Sequence, residues 1–240
     1  MMKRYAKTAG NRRRFWTRPR LVELEARTVP STTIPLNTTS WTALGPAPAS
    51  ITGTRNSGRT TAIVADPTDP NIVYIGAASG GVWKTTNANS SPPTWTPLTD
   101  GQAALTTGDI ALAPSNPSVV YVATGEPDNS GDSYYGRGVL KSTDAGATWT
   151  LFNDGGVFDR KTMSRIVVSP TDPNTVYVAV AGGGVNGVGG STGVYRSTDG
   201  GTTWTNLTSA LGTSATYSDF EIDPTNSNVA YLAIGSAFGR

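Results

Sequence analysis

Residues 142–152 read STDAGATWTLF, and residues 197–207 read STDGGTTWTNL, the same eleven-residue phrase 55 positions apart. Recurrence at a fixed period marks a repeat architecture, in which each unit buries its apolar faces only against its neighbours. Tryptophan sets the phase: Trp-Thr-x-[Leu/Phe] stands at Trp41, Trp95, Trp149 and Trp204, at intervals of 54, 54 and 55 residues. Two further phrases keep step. One is ADPTDPNIVYIG (65–76), APSNPSVVYVAT (113–124), SPTDPNTVYVAV (169–180) and DPTNSNVAYLAI (223–234). The other is GVWKTT (81–86), GVLKST (138–143) and GVYRST (193–198).

Each period holds four short runs rich in β-branched and aromatic residues, with Pro or Gly at every junction, which is strand chemistry. In the first period they are Thr60–Ala65, Ile72–Ala77, Gly81–Thr86 and Thr94–Leu98. The second run is apolar on both alternations (Ile72, Val73, Tyr74, Ile75), so it is covered on both faces. Four strands per unit, stacked face to face, predict an all-β fold, a β-propeller of about three and a half blades. That count leaves edges unpaired, so the expectation is a partial propeller whose missing blades belong to a longer parent chain. Trp41-Thr42-Ala43-Leu44 is then a lone fourth strand.

In the eleven-residue phrase every residue type has an architectural task. Asp144 and Asp199 accept hydrogen bonds within their own turn. Gly146 and Gly201 supply a left-handed backbone. Ser142, Thr148, Ser197 and Thr203 offer hydroxyls, and Trp149 and Trp204 open the outer strand and pack between blades. The phrase resembles the Asp-box, or bacterial neuraminidase repeat, of sialidase-like and sortilin-like propellers and of xyloglucanases. The first repeat departs from it: KTTNANSSPPTW (84–95) is read with Thr86 in the place of the aspartate and an insertion before Trp95. The resemblance implies that the boxes lie opposite the ligand face, so chemistry is sought elsewhere.

Composition narrows that chemistry. The 240 residues include no Cys and no His, which excludes disulfides, thiolate metal sites and His-based triads. Residues 1–30 carry nine Lys/Arg against two Glu, a net +7, which leaves −5 for the remaining 210 residues. The body thus has no basic footprint for nucleic acid, and no apolar run reaches the roughly 18 residues of a membrane helix. Residues 1–36 are read as a disordered basic leader, and 37–240 as the propeller blades. The leader lacks the apolar core of a standard signal peptide. Its phrase, which begins at Leu21-Val22-Glu23-Leu24-Glu25 and closes with Arg27-Thr28-Val29-Pro30-Ser31, resembles a leader of exported planctomycete proteins, which implies an exported or cell-surface location in a bacterium.

The ligand face is expected on the loops that join second to third strands and one blade to the next: 77–80, 124–137, 181–192, 50–58, 100–108 and 154–164. TGEPDNSGDSYYGRG (124–138) stands out, with Glu126, Asp128, Asp132, Tyr134, Tyr135 and Arg137. Aromatic rings stack on sugar C–H faces and carboxylates accept hydroxyl bonds; two carboxylates about 5–10 Å apart also suit glycoside hydrolysis. A Ca²⁺ site at Asp128, Asn129 and Asp132 lacks the twelve-residue calcium-loop pattern, so no metal and no cofactor is expected.

Arg55, Arg59 and Arg165 sit at or before inner strands. Sialidases bind the substrate carboxylate with three arginines, but no F-R-I-P phrase and no Tyr-Glu pair accompanies these. Xyloglucanases carry a catalytic Asp in a phrase R-T-D-V-G-G; the stretch matched to it here, Lys84-Thr85-Thr86-Asn87, has no carboxylate. GGGVNGVGG (182–190) lacks the lysine and helix of a phosphate loop, and Lys84, Lys141 and Arg196 are read as a solvated or ion-paired face. Three functions follow from these readings. The first is a non-catalytic module binding glycans or proteins through its loops. The second is the N-terminal part of a glycoside hydrolase, and the third an assembly propeller.

Overall fold

The computed structural model describes residues 59–128, 133–182, 192–211, 216–224, 226 and 229–235, together with the backbone of 49–51 and 54–56. The strand phrases of the sequence become strands almost residue for residue. A hairpin of β1 (Ala49–Ile51) and β2 (Thr54–Asn56) precedes the first full blade, β3 (Thr60–Ala65), β4 (Val73–Ala77), β5 (Gly81–Thr85) and β6 (Thr96–Pro97). The second blade is β7 (Thr107–Ala113), β8 (Asn116–Gly125), β9 (Tyr135–Ser142) and β10 (Thr150–Phe152). The third is β11 (Thr162–Val168), β12 (Val176–Gly182), β13 (Gly193–Ser197) and β14 (Thr205–Asn206), and β15 (Tyr217–Ile222) with β16 (Ala230–Ile234) begins a fourth.

Among the described residues each full blade is a four-stranded antiparallel sheet in chain order, and β15–β16 is a two-stranded one. This is the all-β partial propeller that the period predicts. The leader 1–36 and the phrase Trp41–Leu44 lie outside the described residues. So do Asn129, Asp132, residues 183–190 of the glycine-rich loop and the Arg55 side chain.

Apolar packing follows the two-faced second strands. Val120 and Val122 of β8 face the first blade, among Tyr74, Val82, Ile110 and Leu140. Their alternates Tyr121 and Ala123 face the third, among Met163, Ile166, Val176 and Val178. A third cluster joins Ala179 and Val194 to Tyr217, Phe220 and Ile222 of the fourth. The cores therefore lie between blades rather than within them, because a single sheet cannot cover its own faces.

Bulges recur at one place on every innermost strand. The register slips at Thr61, Gly108, Ser164 and Ser218, and a bulge sharpens local twist and re-aims side chains. The Thr61 hydroxyl donates to the Thr107 carbonyl of the next blade at 2.7 Å, and the Ser164 hydroxyl to that of Tyr217 at 2.6 Å. At Gly108 no side chain intervenes and the backbones close directly: a Cβ there would lie 1.9 Å from the Met163 carbonyl oxygen.

The turns between third and fourth strands are built as the sequence implies, with two corrections. Asp144 Oδ1 accepts from the Ser142 hydroxyl at 2.7 Å and the Thr148 amide at 2.8 Å, and Oδ2 accepts from the Thr148 hydroxyl at 2.6 Å. Asp199 repeats this with Ser197 and Thr203 at 2.7, 2.9 and 2.6 Å. Gly146 and Gly201 adopt φ of 94° and 102°.

In the first blade the aspartate's place is held not by Thr86 but by Asn87. Its Oδ1 accepts from the Thr85 hydroxyl (2.8 Å), the Thr94 amide (2.9 Å) and the Thr94 hydroxyl (3.1 Å). The insertion lengthens the span from Asn87 to Thr94 to seven residues, against four from Asp144 to Thr148, without changing the bonding scheme. The outer strands also begin one residue after their tryptophans, at Thr150 and Thr205. Trp204 instead packs edge-on against Phe158, with centroids 5.2 Å apart.

Lys84 and Lys141 do not form the solvated or ion-paired face read from their spacing. Each pairs across the sheet with a tyrosine, Tyr74 and Tyr121. Their ammonium groups lie over those rings at 5.0 and 5.3 Å while donating to Ala145 O and Asn174 Oδ1 of the next blade. The tyrosine hydroxyls reach across too, Tyr74 to Ala145 O (3.0 Å) and Tyr121 to Pro173 O (2.8 Å). Burial lowers the Lys141 ammonium pKa and raises the Tyr121 hydroxyl pKa.

Candidate functional site

Two of the loops expected on the ligand face come together. The crossover from β6 to β7 supplies Ala103, Ala104, Leu105 and Thr106. The entry to β9 supplies Tyr134, Tyr135 and Arg137, and between them lies a pocket of about 310 Å³. Two hydrogen bonds fix the two walls to each other: the Gly125 amide donates to Thr106 O at 3.0 Å, and the Thr106 side-chain hydroxyl donates to Tyr135 O at 3.0 Å. The Ser-Thr-Asp turn lies at the other end of β9, in the β9–β10 connection, away from Tyr135 where the strand begins.

The three aromatic and basic positions of this loop divide into different tasks. Tyr134 is 47% exposed, and its ring is the aromatic surface that the pocket offers. Tyr135 is half-buried, and two guanidinium groups lie over its ring, Arg137 at 5.8 Å and Arg160 at 5.2 Å. Its face is therefore occupied, contrary to the expectation of a sugar platform there. Arg137 bonds Asp159 at 2.9 Å and, with this partner stabilising its charged form, has its pKa raised. It still lines the pocket, so its remaining N–H groups are donors for a polar ligand.

Glu126 is not a ligand contact, because its side chain is wholly covered. Its carboxylate accepts from Arg59 Nη2 at 2.5 Å and from the Asp128 amide at 2.6 Å. Its own amide donates to the Tyr134 carbonyl at 3.0 Å, closing the base of the loop. Asp128 is half-exposed, 3.6 Å from Arg59 Nε.

Arg165 is likewise engaged. It meets Asp109 (3.3 Å), Asp219 (3.3 Å) and Glu221, so carboxylates of the second and fourth blades share one guanidinium of the third. Asp109 also accepts from the amides of Ile110 and Ile166, both at 2.9 Å. Burial nevertheless pushes its pKa up. The sequence reading missed Asp109, Asp219 and Glu221; the available signal was that positions 109, 165 and 219 each follow a bulge, in phase with the repeat. With Arg59 and Arg165 each held by carboxylates, neither stands as an open cradle for a substrate acid. Among the described residues no group of three or more His, Cys, Asp or Glu side chains is placed to hold a metal ion. No helix among them is long and apolar enough to cross a membrane.

No family model matches the chain. It is similar to a xyloglucanase of Paenibacillus sp, 34% identical over 162 residues that cover 61% of this chain and 14% of that protein. It is also similar to a xyloglucanase of Hypocrea jecorina, 31% identical over 177 residues, 69% of this chain and 19% of that protein. The chain thus spans less than a fifth of the length of these curated relatives. Among solved structures an ancestral GH74 enzyme superposes with a TM-score of 0.56 at 21% identity, over 82% of this chain and 23% of the other. That likeness confirms the propeller fold. Of the three kinds of protein that the box phrase brings to mind, xyloglucanases are the kind these relatives represent.

Proposed function

We propose that this chain is a propeller portion of a xyloglucanase-like glycoside hydrolase, acting outside the cell on a polysaccharide too large to enter it. Its role is to hold the glycan on the loop face. The observation that carries this reading is the pocket between 103–106 and 134–137, with an exposed Tyr134 ring on one wall and Arg137 donors beside it. An exposed ring next to fixed polar donors suits a sugar, whose C–H face stacks while its hydroxyls accept hydrogen bonds. The xyloglucanase relatives suggest the class of polymer.

The catalytic carboxylates of such an enzyme belong to other parts of it. None of the residues that line the pocket is a carboxylate; of the acids beside it, Glu126 is covered and Asp159 is bonded to Arg137. In the phrase R-T-D-V-G-G, the Gly-Gly pair also matches Gly80-Gly81 of the β4–β5 turn, which puts Ala78, not a carboxylate, in the acid's place. The second reading, a glycan-binding module with no hydrolysis, rests on acids among the described residues being held in ion pairs, Glu126 by Arg59 and Asp109 and Asp219 by Arg165. The box-type turns and the basic leader fit either reading.

Titration calorimetry of the chain with xyloglucan oligosaccharides, beside a reducing-end assay on the polymer, tests the proposal. Binding that is weakened but still measurable in Tyr134→Ala is expected. Failure to bind xyloglucan or any other glycan would overturn it in favour of a propeller that scaffolds protein assembly.

A further inference from the structure

We infer that Glu126 is a positioning residue for the pocket. Paired with Arg59 beneath the loop, it holds Tyr134 at the wall without itself touching a ligand. This rests on reading the pocket as a glycan site.

Arg59 directly precedes β3 in the first blade, whereas Glu126 follows β8 in the second, 67 residues away, so the ion pair ties the loop across the blade boundary. Both carboxylate oxygens are used, Oε2 by Arg59 and Oε1 by the Asp128 amide, which fixes the side chain and the direction in which the chain leaves it. The same residue's amide grips the Tyr134 carbonyl, so residue 126 closes both limbs of the loop. A buried carboxylate is costly unless paired and hydrogen-bonded, and Oε1 of this one is satisfied by the loop's own Asp128 amide, so the loop form that presents this amide is favoured. Tyr134 is the exposed end of that closure, and the geometry of Glu126 reaches the pocket through it.

The test is a double-mutant cycle on oligosaccharide affinity, with the thermal midpoint followed for each variant. Glu126→Gln keeps the shape and removes the charge. If Tyr134 then holds its place at the wall about a tenth of the time, affinity falls about tenfold, because apparent affinity scales with the competent fraction. Tyr134→Ala removes the contact itself. The double variant is expected to bind no more weakly than Tyr134→Ala alone, since Glu126 acts through Tyr134. Glu126→Asp, which keeps the charge, should recover part of the loss. Should Glu126→Gln fail to fold, Arg59→Lys takes its place in the cycle. Additive losses, or an unchanged affinity in Glu126→Gln, would overturn the positioning role alone. Unchanged affinity in Tyr134→Ala would instead overturn the pocket as a glycan site.

Discussion

Asp109 and Arg165 occupy the same place on neighbouring innermost strands, each directly after a bulge, and meet across the blade boundary with Oδ2 3.3 Å from Nη1. Asp219, at that place on the next strand, takes the other side of the guanidinium at 3.3 Å. Charge therefore alternates over the second, third and fourth blades where the bulges aim side chains alike, while the first blade has Ala62 at that place. Asp109 also caps the Ile166 amide at 2.9 Å, so one carboxylate secures both the side chain and the backbone of the third blade. Asp109→Ala leaves that buried amide without its acceptor and is expected to cost about 2–3 kcal/mol, whereas Asp109→Asn, which keeps an acceptor oxygen, costs about 1. Urea midpoints at constant slope measure both; equal losses would mean that charge rather than capping is what matters.

The turn aspartates set the response to acid. Hydrogen bonds from Thr148 and Ser142 hold the Asp144 carboxyl at about 2, and those from Thr203 and Ser197 do the same for Asp199, against an ordinary 3.8. A depressed folded-state value contributes stability that is fully present above pH 3.8 and lost as the pH falls through about 2. Asp109 has the opposite sign: burial raises its value, so its contribution is greatest below 3.8 and fades as the pH rises through its folded value. Thermal midpoints between about pH 2 and 5 are expected to fall with acid in the parent chain and to flatten in the double variant Asp144→Asn, Asp199→Asn. An unchanged slope in that variant would place the acid sensitivity elsewhere.

Asn87 invites a gain. Its single acceptor oxygen takes three donors, where Asp144 divides the same three between two oxygens. Asn87→Asp supplies the second acceptor in a turn already shaped for it. It is expected to add about 0.5–1 kcal/mol, or about 1–4 °C in a chain of this size. Calorimetric melting decides: a fall in midpoint would show that the longer insertion does not leave the second oxygen within reach of Thr94.

What the sequence revealed was whatever depends on local spacing. Strand β3 was legible from its β-branched run between turn residues, and the two Ser-Thr-Asp turns because their bonds span only a few residues. The register of the first turn was misread although GVWKTT (81–86), set against GVLKST (138–143), already places Asn87 opposite Asp144; what the insertion displaces is the partner, Thr94. The covered state of Glu126 was invisible because its partner lies 67 residues earlier. The axial charges escaped notice for another reason: comparing repeats rewards identity, and Asp109, Arg165 and Asp219 conserve a position while reversing its sign.

Gly108 supplies the sharpest contrast. At the bulges of β3 and β11 a hydroxyl bridges to the next blade, but at Gly108 the neighbouring backbone fills that space. A Cβ there would meet Met163 O at 1.9 Å and Gly125 O at 2.6 Å, and both belong to strands held by their own ladders. Relief requires the second and third blades to separate, which opens the apolar cluster that joins Tyr121 to Met163 and Val178. Gly108→Ala is therefore expected to cost about 3 kcal/mol or more, in the range of overpacked cores. Gly101→Ala is the matched control, since a Cβ at Gly101 meets nothing within 4 Å. Urea unfolding of the two variants side by side checks the argument, and a Gly108→Ala chain as stable as the control would mean that the blades yield at this boundary without loss of packing.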